Sequence, residues 1–330
     1  MSAASPCIVT QVLGCAVLDV LLVVIGIAGL AYGGDLLVGN ASRLARGFGI
    51  SPLVVGLTVV AFGTSAPELA ASLAAALRGS PEIALANVIG SNIANIGLIL
   101  GASALMASLT TTWSFVRREV AVMIAASVVA TLLLLDGSLG RIEAGVLLLG
   151  LVAFLVIVFR GDGGAASAVV PSAVAVDADT PRPARLRPAL LALVGVALLA
   201  LAAQALVTGA ISLAQAWGVS ERVIGLTMVA VGTSLPELAS SIAAALRRQG
   251  DIILGNIVGS NVFNLLSVLA LAGLVHPLQT EPTALRVDLL VMLAFAAVVA
   301  PIAITGWRIG RREGAALLAA YLAYVAFVLV

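Results

Sequence analysis

The chain has 330 residues, of which 62% are hydrophobic and 10% are charged. A mean hydropathy of +1.19 excludes an ordinary soluble globular domain, whereas repeated apolar runs of membrane-spanning length produce such a value. The net charge of +1 gives no indication of a nucleic-acid partner. The composition therefore predicts an all-α polytopic protein of the lipid bilayer, whose function depends on the few polar residues inside its apolar runs.

Apolar runs predict ten transmembrane helices in two halves, residues 1–159 and 188–330. The predicted helices lie near 15–39, 51–77, 82–107, 116–135, 141–159, 188–216, 219–246, 251–275, 285–306 and 312–329. Segment 160–187, between the halves, is rich in Gly, Ala, Asp, Pro and Arg and has no helical hydrophobic period. Such a composition predicts a linker.

The two halves contain an internal repeat. A shift of 169 residues places Glu68 on Glu237 and Asn95 on Asn264 without a gap. More than half of the positions in 50–97 are identical to their counterparts, including the motif Thr-Ser-x-Pro-Glu. A structural duplication would need to keep only the apolar periodicity. An ionisable residue retained twice inside the bilayer therefore predicts a functional site.

The arginines predict the orientation of the helices. With the N-terminus outside, thirteen arginines lie on the cytoplasmic side: Arg43, Arg46, Arg117, Arg118, Arg160, Arg182, Arg185, Arg187, Arg247, Arg248, Arg308, Arg311 and Arg312. The remaining four lie outside: Arg78, Arg141, Arg222 and Arg286. This bias predicts external termini and a cytoplasmic linker. Since five helices per half is an odd number, the repeats are predicted to be inverted. Inverted repeats with interrupted helices at the midplane are typical of secondary transporters.

The motifs on the second and seventh predicted helices supply oxygen atoms. Thr64 and Glu68 are four residues apart and share a helix face, as do Thr233 and Glu237. Ser65 and Ser234 lie beside them. Pro67 and Pro236 are expected to break each helix, because proline has no N–H and crowds the carbonyl four residues earlier. A backbone carbonyl freed inside a membrane needs a partner, and a bound cation is one.

The third and eighth predicted helices carry a matching polar stripe at spacings of four: Asn87, Ser91 and Asn95, and Asn256, Ser260 and Asn264. Gly90 and Gly259 are expected to allow close helix approach. Oxygen ligands without Cys or His suit Na⁺ or Ca²⁺ and argue against Zn²⁺ or Cu²⁺. One Ca²⁺, or several Na⁺, would neutralise two carboxylates, which predicts an exchanger of these ions.

Several alternatives stay open. Ca²⁺/H⁺ exchange would use one glutamate as the proton carrier. An intramembrane enzyme with Ser65 or Ser234 as nucleophile would need a nearby base, and none is predicted, so the chain is not expected to be an enzyme. A channel fits inverted repeats less well. Asn92 and Asn261 are either ligands or helix-packing residues. Asp35 has no acidic counterpart in the repeat and is expected at the membrane edge, not at the site.

At the residues Gly63-Thr64-Ser65-Ala66-Pro67-Glu68 and Gly90-Ser91-Asn92-Ile93-Ala94-Asn95, the chain resembles the cation/calcium antiporter superfamily, in particular prokaryotic sodium/calcium exchangers. The equivalent residues 232–237 and 259–264 carry the same resemblance. It implies exchange of about three Na⁺ for one Ca²⁺ in a prokaryotic inner membrane. It implies no cofactor besides the transported ions and no obligate protein partner. It also implies that the first and sixth helices slide against the core.

The resemblance implies a specific ligand set: side chains of Glu68, Glu237, Thr64, Ser65, Ser91, Asn95, Thr233, Ser234, Ser260 and Asn264, and the carbonyls of Ala61 and Ala230. One position departs from some relatives, including potassium-dependent exchangers, which carry Asp where this chain has Asn264. The asparagine is consistent with potassium-independent exchange. The proton-coupled branch usually has a different motif around its glutamate.

Overall fold

The computed structural model describes residues 6–165, 186–217 and 230–329, which are mostly helical. Within these residues, six helices are long and apolar enough to cross a membrane, or seven if one bent pair counts as a single span. The six are Val17–Phe48, Pro81–Met106, Arg141–Arg160, Leu186–Ala216, Gly250–Val275 and Leu285–Trp307. The predicted class, a helical membrane protein, is confirmed.

The helices of the first half are α1 (Pro6–Phe48), α2 (Pro52–Thr64), α3 (Ala66–Leu77), α4 (Pro81–Met106), α5 (113–133) and α6 (Arg141–Ala165). Turns of π-helical geometry interrupt α2 at Gly56–Val60, α4 at Asn95–Leu100 and α5 at Val116–Val120. Helix α1 extends beyond the predicted run 15–39. Hydropathy detects only its apolar part, whereas the helix continues because Ala41, Leu44 and Ala45 are buried.

The helices of the second half are α7 (Leu186–Ala216), α8 (Ala230–Thr233), α9 (Leu235–Leu246), α10 (Gly250–Val275), α11 (Pro282–Ile304) and α12 (Arg311–Leu329). A π-helical turn, Asn264–Val268, interrupts α10. The first part of the predicted helix 219–246 lies outside the described residues, as does most of the predicted linker 160–187. The described ends of that linker belong to α6 and α7.

Two short antiparallel ribbons join the halves. Strand β1 (Leu109–Thr110) pairs with β4 (Arg308–Ile309), and β2 (Ser138–Leu139) pairs with β3 (Leu278–Gln279). Because β1 and β2 precede and follow α5, which is long enough to cross the bundle, the ribbons lie at opposite ends of the molecule. Beside them, Arg141 Nε donates to the Leu274 carbonyl and Arg311 Nε to the Leu105 carbonyl, each at 3.2 Å.

Helices α4 and α10 form the centre of the bundle. Buried residues make up 72% of the most apolar part of α4 and 89% of that of α10, but only 22% to 33% in α1, α6, α7 and α11. Helices α1 and α7 pack along each other on the outside, at close approaches such as Gly195 against Leu37. The polar stripes of α4 and α10 therefore lie in the interior, shielded by helices whose outer faces are apolar.

Candidate functional site

Each glutamate motif lies at a helix break. Helix α2 ends at Thr64 and α3 begins at Ala66, with a bend of 42° between them. The linking residue Ser65 has φ −80° and ψ 4°, and Ser234 between α8 and α9 has φ −86° and ψ 5°. These angles lie in the sparsely populated bridge region, where many active-site residues are found.

The predicted helix breaks at the prolines are present, and each break lies just before its proline. Pro67 and Pro236 lie in the first turn of a new helix and do not kink a continuous one. A missing N–H costs little there, because the first N–H groups of a helix have no partner within the helix. Glu68 and Glu237 consequently fall in the first turns of α3 and α9. The partial positive charge of a helix N-terminus favours a carboxylate at that place.

The two carboxylates are held by hydrogen bonds that cross between the halves. Ser65 Oγ donates to Glu237 Oε1 at 3.1 Å, and Ser234 Oγ donates to Glu68 Oε1 at 3.3 Å. The exposed fractions of Glu68 and Glu237 are 0% and 1%. Each half thus supplies a buried carboxylate, and the break of the other half supplies the serine that binds it.

The two threonines are also bonded across the halves. Thr64 Oγ1 lies 3.2 Å from Asn256 Oδ1, and Thr233 Oγ1 lies 3.1 Å from Asn87 Oδ1. Thr64 Oγ1 is also 3.3 Å from the Ala61 carbonyl, which accepts the Ser65 N–H at 2.9 Å. The predicted counterpart of that carbonyl belongs to Ala230, the first residue of α8.

The remaining predicted ligands are buried on the two central helices. Ser91 and Asn95 on α4, and Ser260 and Asn264 on α10, are at most 1% exposed. Helix α3 packs against the π-helical turn that begins at Asn264, and α9 packs against the turn that begins at Asn95. The structure thus brings the polar stripe of each half beside the glutamate-bearing helix of the other half.

The polar atoms of this region fit a bound cation. The Oε2 atoms of both glutamates, and the side-chain oxygens of the four stripe residues above, have no hydrogen-bond partner among the described residues. Leaving such a buried group without a hydrogen bond costs about 1–3 kcal/mol of folding free energy. These atoms together therefore destabilise the protein unless a bound ion interacts with them. Oxygen atoms in this number are the ligand type that Ca²⁺ and Na⁺ require. In the described part of the chain, no group of three or more His, Cys, Asp or Glu residues is placed to hold a metal.

Several polar residues named from the sequence lie outside this arrangement. Asn92 Nδ2 donates to the Val88 carbonyl and Asn261 Nδ2 to the Ile257 carbonyl, within their own helices. Asp35 is 59% exposed and forms an ion pair with Arg247 at 2.6 Å. These contacts favour the helix-packing interpretation of the two asparagines and agree with the expected position of Asp35 away from the site.

Two contributors were absent from the predicted ligand set. Asn87 and Asn256 were assigned to the polar stripe, but their bonds to the threonines of the opposite half were not expected. Their spacing of four from Ser91 and Ser260 was the available signal. Ser240 Oγ donates to the Glu237 carbonyl at 3.0 Å, and its counterpart in the repeat is Ala71. A hydroxyl present in one half alone left no repeated pattern to detect.

Comparisons with known proteins agree with this chemistry. The family model described as sodium/calcium exchanger protein matches residues 18–160 and 188–330. The chain is 39% identical over 308 residues to the putative antiporter CaxA of Alkalimonas amylolytica, covering 92% of this chain and 96% of that protein. It is 33% identical to the sodium/calcium exchanger MaX1 of Methanosarcina acetivorans, covering 92% and 97%.

A solved structure has the same fold. The sodium-calcium exchanger NCX_Mj, soaked with 10 mM Na⁺ and 10 mM Sr²⁺, superimposes with a TM-score of 0.82 at 33% identity, covering 94% of this chain and 98% of that one. These matches extend over both halves and agree with a family of transporters, not of enzymes. The chain belongs to the sodium/calcium exchanger protein family of the cation/calcium antiporter superfamily.

Proposed function

We propose that this chain exchanges Na⁺ for Ca²⁺ across the membrane by alternating access, independently of K⁺. The observation that carries the proposal is the pair of buried glutamates, one from each half, each bonded to the serine of the opposite break. Two carboxylates in an apolar interior need compensating positive charge. One Ca²⁺ supplies it, and so do two Na⁺, so the two ions compete for one set of oxygens.

We assign the ion ligands to the breaks and the polar stripes. The proposed side-chain ligands are Glu68, Glu237, Thr64, Ser65, Thr233, Ser234, Ser91, Asn95, Ser260 and Asn264, with the carbonyls of Ala61 and Ala230. The unpartnered buried oxygens described above support this assignment. Asn264 adds no third carboxylate, which supports a potassium-independent exchanger.

The proposed architecture is ten transmembrane helices in two inverted repeats. The ribbons support it. A shift of 169 residues places β1 on β3, and a shift of 170 places β2 on β4, yet the observed pairs are β1 with β4 and β2 with β3. Parallel repeats would place equivalent strands at the same end of the molecule. Strand β1 instead pairs with β4, the counterpart of β2, and β2 pairs with β3, the counterpart of β1. Equivalent strands therefore lie at opposite ends of the molecule, as inverted repeats require.

We infer that both termini face outward and that the linker is cytoplasmic, in a prokaryotic inner membrane. The distribution of arginines supports this orientation, because thirteen of the seventeen fall on the side assigned to the cytoplasm.

Ca²⁺/H⁺ exchange is the second candidate. It is favoured by one observation: two protons neutralise Glu68 and Glu237 as completely as one Ca²⁺ does, and no further carboxylate joins the pair among the described residues. A proton-coupled exchanger would therefore need no ligand beyond those present.

Flux measurements separate the two functions. Purified protein in liposomes is expected to accumulate ⁴⁵Ca²⁺ when loaded with Na⁺, at an unchanged rate when K⁺ is varied and when pH is clamped equal on both sides. Empty liposomes serve as the control. Uptake that ignores a Na⁺ gradient but follows a pH gradient would replace the first function by the second. Flux that continues without any counter-ion would indicate a channel.

Asp35→Asn is expected to have a small effect. The carboxylate of Asp35 and the guanidinium of Arg247 are 59% and 38% exposed, and exposed ion pairs contribute at most about 1 kcal/mol. The variant should unfold within a few degrees of the parent in detergent and bind Ca²⁺ with the parental affinity. A large loss of Ca²⁺ affinity would place Asp35 at the ion site, contrary to its position in the structure.

A further inference from the structure

The halves are joined by two matching bridges that are distinct from the glutamate–serine bonds. Asn256 on α10 connects Thr64 at the end of α2 to Ser241 on α9, with its Nδ2 3.2 Å from Ser241 Oγ. Asn87 on α4 connects Thr233 at the end of α8 to Ser72 on α3, with its Nδ2 2.9 Å from Ser72 Oγ. Each asparagine therefore bonds the glutamate-bearing helix of its own half and the interrupted helix of the other.

In the second half, the neighbours of Asn256 determine the direction of every hydrogen bond in the bridge. A backbone carbonyl can only accept, so Ser240 must donate its single proton to the Glu237 carbonyl at 3.0 Å. Ser240 Oγ can then only accept from Asn256, which places Nδ2 on that side at 3.2 Å. The Oδ1 atom of Asn256 consequently faces Thr64 and can only accept, so Thr64 is the donor of this pair at 3.2 Å, although its single proton also has the Ala61 carbonyl within reach at 3.3 Å.

In the first half, the series of hydrogen bonds through Asn87 has one member fewer and runs in the same direction. Asn87 Nδ2 lies 3.2 Å from the Glu68 carbonyl and must donate to it. Its Oδ1 atom therefore accepts the hydroxyl proton of Thr233 at 3.1 Å. Both series of hydrogen bonds begin at the backbone carbonyl of a site glutamate and end at a threonine of the opposite half.

We propose that Asn87 and Asn256 are positioning residues that fix the polarity of the two site threonines. A threonine hydroxyl has one proton and two lone pairs. When an asparagine accepts that proton, the oxygen can present only lone pairs to a cation. In the Asn256 bridge, the proton of Thr64 is also drawn away from the Ala61 carbonyl, 3.3 Å from Thr64 Oγ1, so that this carbonyl keeps acceptor capacity. This inference rests on the proposed ion exchange.

The two bridges are not identical. Position 240 is serine in the second half, whereas its counterpart is Ala71, so Asn87 bonds the Glu68 carbonyl directly and Asn256 reaches the Glu237 carbonyl through a hydroxyl. The bridge to Thr64 is also the more buried one, because Thr64 and Asn256 are 0% and 1% exposed. The Asn256–Thr64 bridge is therefore the better one to test.

The test is a double-mutant cycle read by Ca²⁺ binding. Isothermal titration of the purified full-length protein with Ca²⁺ should show that Asn256→Ala weakens affinity about 10-fold, as removal of a group that orients a metal ligand typically does. Thr64→Val should weaken it at least as much. Because Asn256 is proposed to act through the Thr64 hydroxyl, the double variant should match Thr64→Val within about twofold.

Asn261→Ala is the matched control. Asn261 lies five residues further along α10, is equally buried, and among the described residues donates its Nδ2 to the Ile257 carbonyl of its own helix, not to a residue of the opposite half. This variant should retain the parental affinity. If Asn256→Ala binds Ca²⁺ as tightly as the parent, or if the effects of Asn256→Ala and Thr64→Val multiply in the double variant, the proposal is wrong. Multiplying effects would indicate a general packing role for Asn256.

Two further measurements keep the outcome decisive. Should Asn256→Ala fail to fold, the same cycle with Asn87→Ala and Thr233→Val tests the equivalent bridge. The parent protein is titrated and assayed for Na⁺-driven ⁴⁵Ca²⁺ uptake in parallel. A parent that neither binds nor transports Ca²⁺ refutes the proposed function, whereas an active parent with an unaffected Asn256→Ala variant refutes the positioning role alone.

Discussion

Glu68→Gln or Glu237→Gln is expected to reduce Ca²⁺ transport by more than about 100-fold. Glutamine keeps the shape of the side chain and an Oε1 atom that can still accept from Ser234 or Ser65. The change therefore removes one negative charge and replaces the unpartnered Oε2 by an amide donor. Removing one partner of a buried charge pair costs about 3–5 kcal/mol, and each 1.4 kcal/mol corresponds to about tenfold in affinity.

The matched control for this experiment is Glu82→Gln. Glu82 lies in the first turn of α4, as Glu68 lies in the first turn of α3, but it is exposed to the surroundings of the protein. The Glu82→Gln variant should transport ⁴⁵Ca²⁺ at the parental rate in the same liposomes. A Glu68→Gln or Glu237→Gln variant that transports as fast as Glu82→Gln would show that the two buried carboxylates do not bind the transported ion.

Gly259→Ala is expected to destabilise the protein by about 3 kcal/mol, near the upper end of the usual range for overpacking. A Cβ at this position would lie 2.6 Å from the Leu57 carbonyl oxygen and 2.7 Å from the Ala61 Cβ, whereas ordinary contact begins at 3.4 Å. Both atoms belong to or lie next to the backbone of α2, so no side-chain rotation relieves the clash. Helices α2 and α10 must separate, which moves Ala61 and Ser260 apart.

Thermal unfolding in detergent and Ca²⁺ titration measure these two consequences. Gly145→Ala is the control, because a Cβ there meets no described atom within 4 Å and alanine favours a helix over glycine. It should unfold at or above the parental temperature. A Gly259→Ala variant with parental unfolding temperature and Ca²⁺ affinity would contradict the close packing of α2 against α10. A Cβ at Gly90, the counterpart of Gly259 in α4, meets no described atom within 4 Å.

The location of the polar residues could be predicted from the sequence because the relevant signals are local or repeated. Long apolar runs indicate burial in lipid whatever their partners are. A carboxylate retained at both Glu68 and Glu237 indicates function, since its cost inside a bilayer is high. Spacings of four residues place Ser91 and Asn95, or Ser260 and Asn264, on one face of a helix. These inferences need no knowledge of how the helices pack.

Other features depended on packing and had no local signal. Hydropathy could not show that α1 continues past residue 39, because its last turns are buried on one side only. The break beside Pro67 was predicted, but its angle of 42° was not, because that angle depends on how the surrounding helices hold the two segments. The two-residue strands are too short to leave a periodic pattern.

By itself, the sequence determined the membrane class and the duplicated motif, and it predicted oxygen ligands for the site, because each of these follows from residue type and spacing. The tertiary structure decided which atoms bond across the halves: Ser65 to Glu237, Ser234 to Glu68, and the two asparagines to the opposite threonines. Residues that are more than 140 positions apart meet only when the helices pack. The direction of a hydrogen bond is then set by whether each neighbour can donate or only accept.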